Sequence, residues 1–128
     1  MIKARAAATV AGLLALSVAL GPSAGAAPPD PFHGAWKSID TDGSNQNLSF
    51  GGGGTTRQVR LFDDFASGCG GGIATARGIG TVAGDSLDVT LSVRCANGTF
   101  IPDTPVTFTY DGGTDTLDDS FGVTWNRP

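Results

Sequence analysis

In one segment of this sequence, apolar and polar residues alternate so regularly that the segment constrains the fold class of the whole domain. Across residues 86–95, SLDVTLSVRC, apolar side chains occupy every second position from Leu87 to Cys95, and polar side chains occupy the positions between them. A period of two places one set of side chains on each face of a β-strand. The segment therefore predicts a strand with one buried and one solvated face, and its edges need hydrogen-bonded neighbours.

Shorter runs of the same kind recur along the chain between turn residues. Val, Thr and Phe are frequent in them, whereas helix-favouring residues are scarce: there is no Glu, and Lys37 is the only Lys after residue 26. The predicted strands are Gly34–Ile39, Gln46–Phe50, Arg57–Asp63, Ile73–Val82, Ser86–Cys95, Val106–Tyr110, Asp115–Ser120 and Gly122–Asn126. Short connections imply antiparallel neighbours. We therefore expect an all-β domain with about eight short antiparallel strands in a meander, closed as a small up-and-down barrel or, alternatively, folded as a β-sandwich.

The predicted strand Ile73–Val82 has one nearly bare face. Positions 74, 76, 78 and 80 are Ala, Ala, Gly and Gly. Because alternate positions of a strand share a face, another element or the opposite barrel wall can approach this face closely.

The first 26 residues have the order of features of a cleaved secretory signal peptide. Lys3 and Arg5 precede an uncharged apolar stretch, Ala6–Leu20, and a small-residue run follows in which Ala24-Gly25-Ala26 fits a cleavage site. The apolar stretch is shorter than the roughly 20 residues of a membrane span. We therefore expect a secreted protein, periplasmic or extracellular, with a signal peptide at 1–26, a flexible Pro-rich leader at 27–33 and a single barrel domain at 34–128.

The mature chain is acidic. It loses Lys3 and Arg5 with the signal peptide, so six of the 8 basic residues remain against 12 Asp, a net charge of −6. This balance repels phosphate backbones and anionic lipid headgroups. We therefore expect neither nucleic acid nor a membrane surface as a partner.

Cys69 and Cys95 are the only cysteines. In an exported chain an isolated pair predicts a disulfide. The alternatives are a metal site, which usually has more Cys or His at short spacing, and a redox pair, which usually has C-x-x-C spacing. Since Cys95 lies on the apolar face of its strand, the bond would tie a Gly-rich loop to the core. It would stabilise the fold by roughly 3.5 kcal/mol on the chain-entropy model.

No arrangement of side chains predicts catalysis. His33 is the only His and lies in the leader, whereas a hydrolase triad needs such a base beside its nucleophile. The adjacent carboxylates Asp63 and Asp64, and likewise Asp118 and Asp119, point to opposite faces of an extended strand. We therefore expect no enzyme and no catalytic residue.

A cation site is also not predicted. The segment 40–44, DTDGS, has oxygen ligands at alternating positions, as Ca²⁺ requires, but it lacks the further ligands of a calcium loop. An Asp/Gly turn accounts for the segment. We therefore expect neither a metal nor a cofactor.

The first predicted strand opens with Gly34-Ala35-Trp36, and the chain closes with Trp125-Asn126-Arg127-Pro128. A G-x-W at the first strand of a short meander resembles the lipocalin-like (calycin) barrels, and avidin-like barrels share this opening. The resemblance implies an eight-stranded barrel with a cavity for a small ligand, closed at one end by Trp36 with Arg127 packed over it. The stretch 36–46, WKSIDTDGSNQ, is also similar to small exported bacterial proteins of no assigned function, which supports export and adds no chemistry.

Two functions fit these features. The first is a secreted binding module that holds a small apolar ligand inside the barrel, unless its own side chains fill so short a barrel. The second is an exported interaction or inhibitor-type protein that docks on another protein or on a cell-surface polymer. In that case Phe65 and Phe100, in predicted loops, are candidate anchors, although such rings also serve to cap a core.

Overall fold

In a computed structural model, which describes residues 30–39 and 43–128, the chain forms a closed barrel of eight antiparallel strands. The strands are β1 (Gly34–Ile39), β2 (Asn45–Gly53), β3 (Thr56–Ala66), β4 (Gly72–Ala83), β5 (Ser86–Cys95), β6 (Phe100–Asp111), β7 (Thr116–Asp119) and β8 (Thr124–Asn126). Each strand pairs with the next in sequence, and β1 pairs with β8 at Lys37 and Asn126. The predicted meander of eight strands is confirmed, and the structure decides for the barrel over the sandwich.

Two strands extend through segments that the sequence predicts as loops. β3 continues to Ala66 and β6 begins at Phe100. Each extension contains a register shift: β3 shifts against β4 between Asp63 and Ala66, and β6 shifts opposite Ser92 of β5. Asp103, in this second shift, has a φ of 54°. A bulge places an extra residue in the ladder without ending it, so turn-like residues here bend the strands instead of terminating them.

Inward-facing side chains form the core. The alternation of β5 is confirmed, since Leu87, Val89 and Leu91 are buried while Asp88 and Thr90 are exposed. The largest fully buried side chains are Trp36, Trp125, Phe32, Phe108, Leu48, Leu87, Leu117 and Val59. Each contributes about 1.5–3 kcal/mol relative to an exposed position.

The packed domain begins before Gly34. Phe32 is 1% exposed and belongs to the core cluster. Its carbonyl oxygen accepts a hydrogen bond from Arg57 Nη1, and the same nitrogen lies 2.7 Å from Asp30 Oδ2. The prediction of a flexible leader is therefore wrong for residues 30–33, because a buried ring and a buried guanidinium hold this segment against the barrel.

The predicted signal peptide, 1–26, lies outside the described residues, as do leader residues 27–29 and residues 40–42 of the Asp/Gly turn. Within the described ranges, no helix has the length and apolar character that crossing a membrane requires.

On the bare face of β4, the atoms nearest to Gly78 and Gly80 belong to β5, the hydrogen-bonded neighbour of β4 in the sheet. A Cβ atom at Gly78 would overlap the carbonyl oxygen of Thr90, and a Cβ at Gly80 would lie 2.6 Å from Leu87 Cδ2. Glycine at these two positions lets β4 and β5 coil tightly around the core.

Cys69 and Cys95 form the predicted disulfide, with Cα atoms 5.4 Å apart. Both are buried in a small second cluster with Ala74. Cys69 ends a 3-10 turn, Ser67–Cys69, and Cys95 ends β5. The bond therefore fastens the Gly-rich turn between β3 and β4 to the end of the best-defined strand.

Candidate functional site

The barrel interior is occupied by aromatic side chains of the chain itself. Phe50 meets the rings of Phe32 and Phe108 edge-on, each at 5.6 Å between centroids. Phe108 meets Trp125 at 6.4 Å in the same manner. All four rings are at most 3% exposed, and edge-to-face contact is a preferred aromatic geometry. Phe32, Phe50, Phe108 and Trp125 therefore form a continuous series of ring contacts in the interior.

The pair that the lipocalin resemblance assigns to barrel closure is in contact. Arg127 Cζ lies 4.0 Å from the ring centroid of Trp36, which is fully buried. The Trp36 indole Nε1 donates a hydrogen bond to the Pro31 carbonyl oxygen at 3.0 Å, and Arg127 Nε lies 3.5 Å from Asp115 Oδ2. Both side chains thus have partners within the protein, while barrel closure by this pair stays a prediction.

A groove of about 730 Å³ crosses the outer face of the barrel. Three neighbouring rows of residues border the groove. Within each row, the residues are paired from strand to strand by the sheet register. The first row is Ala35, Ser49, Arg60, Arg77 and Ser92; the middle row is Trp36, Leu48, Leu61 and Ala76; the third is Asn47, Phe62, Thr75, Arg94 and Phe100. Because side chains alternate along a strand, the outer rows point to solvent and the middle row points to the core. The groove therefore has two side-chain walls and a floor of sheet backbone.

The groove runs across the strands, not along them. Its first row passes from β1 to β5 and its third row from β2 to β6. Since neighbouring strands lie about 4.8 Å apart, five strands give a length of roughly 19 Å. The groove is therefore elongated across the strands.

The first wall places two arginines directly opposite each other. Arg60 of β3 pairs with Arg77 of β4 across the ladder, and both side chains are exposed. On either side of them the row continues with Ser49 and Ser92. Two guanidiniums on neighbouring strands can converge on one anion, which each can bind through two N–H groups.

The opposite wall combines aromatic and polar groups. Phe62 pairs with Thr75, Thr75 pairs with Arg94, and Arg94 pairs with Phe100 on successive strands. Arg94 Cζ lies 4.7 Å from the ring centroid of Phe100. This cation–π contact fixes the guanidinium at the end of the groove, next to the disulfide at Cys95.

Positive charge is concentrated on this face. Four of the six basic residues after residue 26 point outward from β1, β3, β4 and β5; they are Lys37, Arg60, Arg77 and Arg94. None of the four has an ion-pair partner among the described residues. The other two are compensated: Arg57 is buried beside Asp30, and Arg127 lies beside Asp115.

Exposed negative charge lies mostly after β4 in the sequence, and Asp103 stands in the β6 bulge opposite Ser92, at one end of the groove. Between residues 43 and 84, Asp64 is the only exposed aspartate. The exposed aspartates from the β4–β5 turn onward are Asp85, Asp88, Asp103, Asp111, Asp115 and Asp118. The net charge of the chain is therefore not the charge that a ligand meets in the groove.

The residues that line the groove offer binding groups and no acid–base pair. None of the described lining residues is His, Cys, Asp or Glu. Elsewhere in the described ranges, no group of three or more such residues is placed to hold a metal ion. His33 is exposed at the start of the domain and does not line the groove.

The adjacent aspartates have separate roles, as expected from strand geometry. Asp63 points inward, where its Oδ2 accepts a hydrogen bond from Gln46 Nε2 at 3.0 Å. Asp64 points outward and accepts one from the Asn45 main-chain nitrogen at 2.8 Å.

Asp118 and Asp119 also have different hydrogen-bond partners. Asp118 accepts a hydrogen bond from Thr124 Oγ1, whereas Asp119 accepts three, from the Phe121 and Val123 main-chain nitrogens and from Trp125 Nε1. Asp119 thus organises the β7–β8 turn.

The two candidate anchors lie in different surroundings, and neither is in the loop that the sequence predicts. Phe100 starts β6 and ends the third row of the groove. Phe65 lies within β3, where its ring covers Gly71, and it borders a smaller depression with Asp64. Phe100 therefore lines the same groove as the arginines, whereas Phe65 does not.

No sequence motif marks Arg60, Arg77, Arg94 or Phe62 as site residues. Each occupies an outward position of its strand, where exposed charged side chains are common and a single exposed ring needs no special explanation. The available signal was the recurrence of Arg at such positions on three successive strands. Scans against protein-family models and searches of curated proteins and solved structures find no match to this chain.

Proposed function

We propose that this chain is an exported binding module that holds its ligand in the outer groove and not inside the barrel. One observation carries the proposal: aromatic side chains of the chain itself pack against one another in the interior, while the groove presents cations that no described carboxylate compensates. Such cations weaken folding or contribute little to it, and they favour a partner of opposite charge. Of the two functions that the sequence allowed, this favours docking on a partner or a polymer.

Kinship with the lipocalin-like barrels is part of the proposal. The closed meander, G-x-W in β1 and the stacking of Arg127 on Trp36 support it. Binding in an internal apolar cavity, the use that this resemblance implies, is not favoured here because of the packing between Phe50 and Phe108.

The module is proposed to bind without catalysis and without a cofactor. A general acid or base must lie within hydrogen-bonding reach of the reacting group. The hydroxyls of Ser49, Thr75 and Ser92 have no such neighbour among the described lining residues.

Blocking the groove tests where the ligand binds. Neutral polysaccharides, anionic polysaccharides and apolar small molecules would be titrated against the secreted protein and against Thr75→Tyr, which puts a ring into the centre of one wall. We expect at least one polymer to bind the unmodified protein and to lose that binding in the variant. The matched control is Thr109→Tyr, on the outer face of β6 away from the groove.

Two further variants separate the candidate anchors. Phe100→Ala should weaken binding, whereas Phe65→Ala should leave it unchanged. The proposal fails if Thr75→Tyr binds as well as Thr109→Tyr. It also fails if an apolar small molecule raises the melting temperature equally in both.

A further inference from the structure

Resting on the proposed groove, we infer that its ligand is an anionic polysaccharide whose carboxylate groups are held by Arg60, Arg77 and Arg94. The inference depends on three properties of the groove. These are the opposed arginines, the spacing of the rings and polar groups, and the direction of the groove across paired strands.

The opposed arginines point to a carboxylate-like anion. Like charges directly opposite each other destabilise an antiparallel pair, and Arg60 and Arg77 stand in this position with no described ion-pair partner. An anion between them would turn repulsion into two charge-assisted interactions. Arg94, one strand further on the opposite wall and held by Phe100, would take the next charge along the chain.

The remaining groups suit sugar units. Phe62 and Phe100 are 37% and 46% exposed. Phe62, and Phe100 through the ring face that Arg94 does not cover, can meet the C–H faces of pyranoses. The side chains of Asn47, Ser49, Thr75 and Ser92 offer hydrogen bonds to hydroxyl groups. Strands about 4.8 Å apart repeat at close to the length of one sugar unit in an extended glycan.

A peptide is disfavoured by the direction of the groove. Extended peptides gain affinity by adding a strand to a free sheet edge, whereas between its two ends the groove crosses β2 to β5, each of which has a paired strand on both sides. A peptide lying across the strands would meet backbone groups already used in the ladders. Its own N–H and C=O groups would depend on a few side chains.

Single-stranded nucleic acid is disfavoured by the spacing of the rings. Proteins that bind such strands stack successive bases on aromatic side chains. Phe62 and Phe100 are separated by Thr75 and Arg94 across three strand spacings, roughly 14 Å. Successive bases could not stack on both rings.

A matched pair of polymers tests the inference. Polygalacturonate and its fully methyl-esterified form share one backbone and differ in charge. We expect the secreted protein to bind the charged polymer at least about tenfold more tightly than the ester, with affinity falling as salt is raised. Arg60→Gln and Arg77→Gln should each weaken binding about tenfold or more, the loss expected for one charge-assisted hydrogen bond. Lys37→Gln removes the same charge beside Asn47, just outside the groove lining, and should weaken binding less than either arginine variant.

Arg60→Lys keeps the charge and removes the planar fork, so an intermediate affinity is expected. Equal effects of Arg60→Gln and Lys37→Gln would overturn the inference. So would binding of poly-aspartate or single-stranded DNA at least as tight as that of polygalacturonate. Self-association of the protein that Arg60→Gln abolishes would identify a second copy of the chain as the occupant and would also overturn it.

The outcomes separate this inference from the function on which it rests. If both polymers bind equally and Thr75→Tyr blocks both, the groove binds glycans and only the assignment of charge is wrong. If Thr75→Tyr leaves binding of polygalacturonate unchanged, both the groove and the anion assignment are wrong.

Discussion

Arg60 and Arg77 lie directly opposite each other on β3 and β4, and neither has an ion-pair partner among the described residues. Repulsion between opposed like charges destabilises a strand pair, so folding does not account for this arrangement. The proposed anionic ligand would offset this repulsion. The same two side chains should therefore weaken the free protein and strengthen the complex.

Removing one of these charges should stabilise the free protein. Arg77→Gln is expected to raise the free energy of unfolding by about 0.2–1 kcal/mol at low salt. The gain should shrink at high salt, because the repulsion is screened there. Urea unfolding at two salt concentrations measures both effects. Lys37→Gln is the control: Lys37 faces Asn47 across β1 and β2, so no comparable gain is expected. A loss of stability in Arg77→Gln would show that the two guanidiniums do not repel each other in the fold.

Reducing the disulfide should destabilise the barrel and loosen one end of the groove. Cys69 and Cys95 are 26 residues apart, which corresponds to roughly 3.5 kcal/mol on the chain-entropy model. For a domain of this size the melting temperature should fall by on the order of 15–25 °C. Thermal melts with and without reductant measure this. The Cys69→Ala/Cys95→Ala double variant should melt at the lower temperature under both conditions. A melting temperature that does not respond to reductant in the unmodified protein would contradict the prediction.

Close approach of β4 and β5 makes Gly78 sensitive to substitution. In Gly78→Ala the added Cβ would overlap the Thr90 carbonyl oxygen, so one strand must move. We expect a loss of about 1–3 kcal/mol in the free energy of unfolding, as for overpacking. The control is Gly53→Ala at the end of β2, where a Cβ meets no atom within 4 Å. Equal stability of the two variants would mean that β4 and β5 are not pressed together at this point.

Tyr110 should make stability depend on alkaline pH. Its hydroxyl donates a hydrogen bond to Asp115 Oδ1 at 2.9 Å, which raises the pKa of Tyr110 above its usual value of about 10; burial and the charge of Asp115 act in the same direction. Because the folded state holds this proton more tightly than the unfolded state, the contribution is complete below pH about 10. It is lost as pH rises through the raised pKa.

As the only tyrosine in the chain, Tyr110 can be titrated directly by tyrosinate absorbance. Tyr110→Phe should remove this part of the alkaline decrease in unfolding free energy. Asp115→Asn should bring the pKa of Tyr110 back toward its usual value, whereas Asp111→Asn should change it less, since Asp111 has the weakest influence. A titration at or below the usual value in the unmodified protein would contradict the assignment.

Local information determined a large part of this fold. The alternation of residues 86–95, the scarcity of helix-favouring residues and the short connections predict eight antiparallel strands, and β1 and β5 have the predicted bounds. The isolated cysteine pair predicts its own bond because no other thiol competes. These features depend on neighbours in the sequence, which is why the sequence reveals them.

Burial of the leader segment was decided only in three dimensions. Nothing near Phe32 in the sequence marks it as a core residue, since it follows a Pro-rich stretch at the edge of the domain. The space for its ring is supplied by Phe50, and its carbonyl is held by Arg57 from another strand. Both partners are distant in the chain.

The candidate site was likewise decided by register. Arg60, Arg77 and Arg94 are each 17 residues apart, and the spacing alone does not say which of them meet. If one strand shifted by one residue against its neighbour, the arginine on that strand would point into the core. Turn lengths, the disulfide and tight β4–β5 packing set the alignment that places Arg60 against Arg77 and brings Arg94 to the facing wall. From the sequence by itself one can predict a β-domain with one disulfide and a signal for export. Only the tertiary structure gathered the positive charge of an acidic chain into one groove, because contacts across strands depend on register and not on sequence distance.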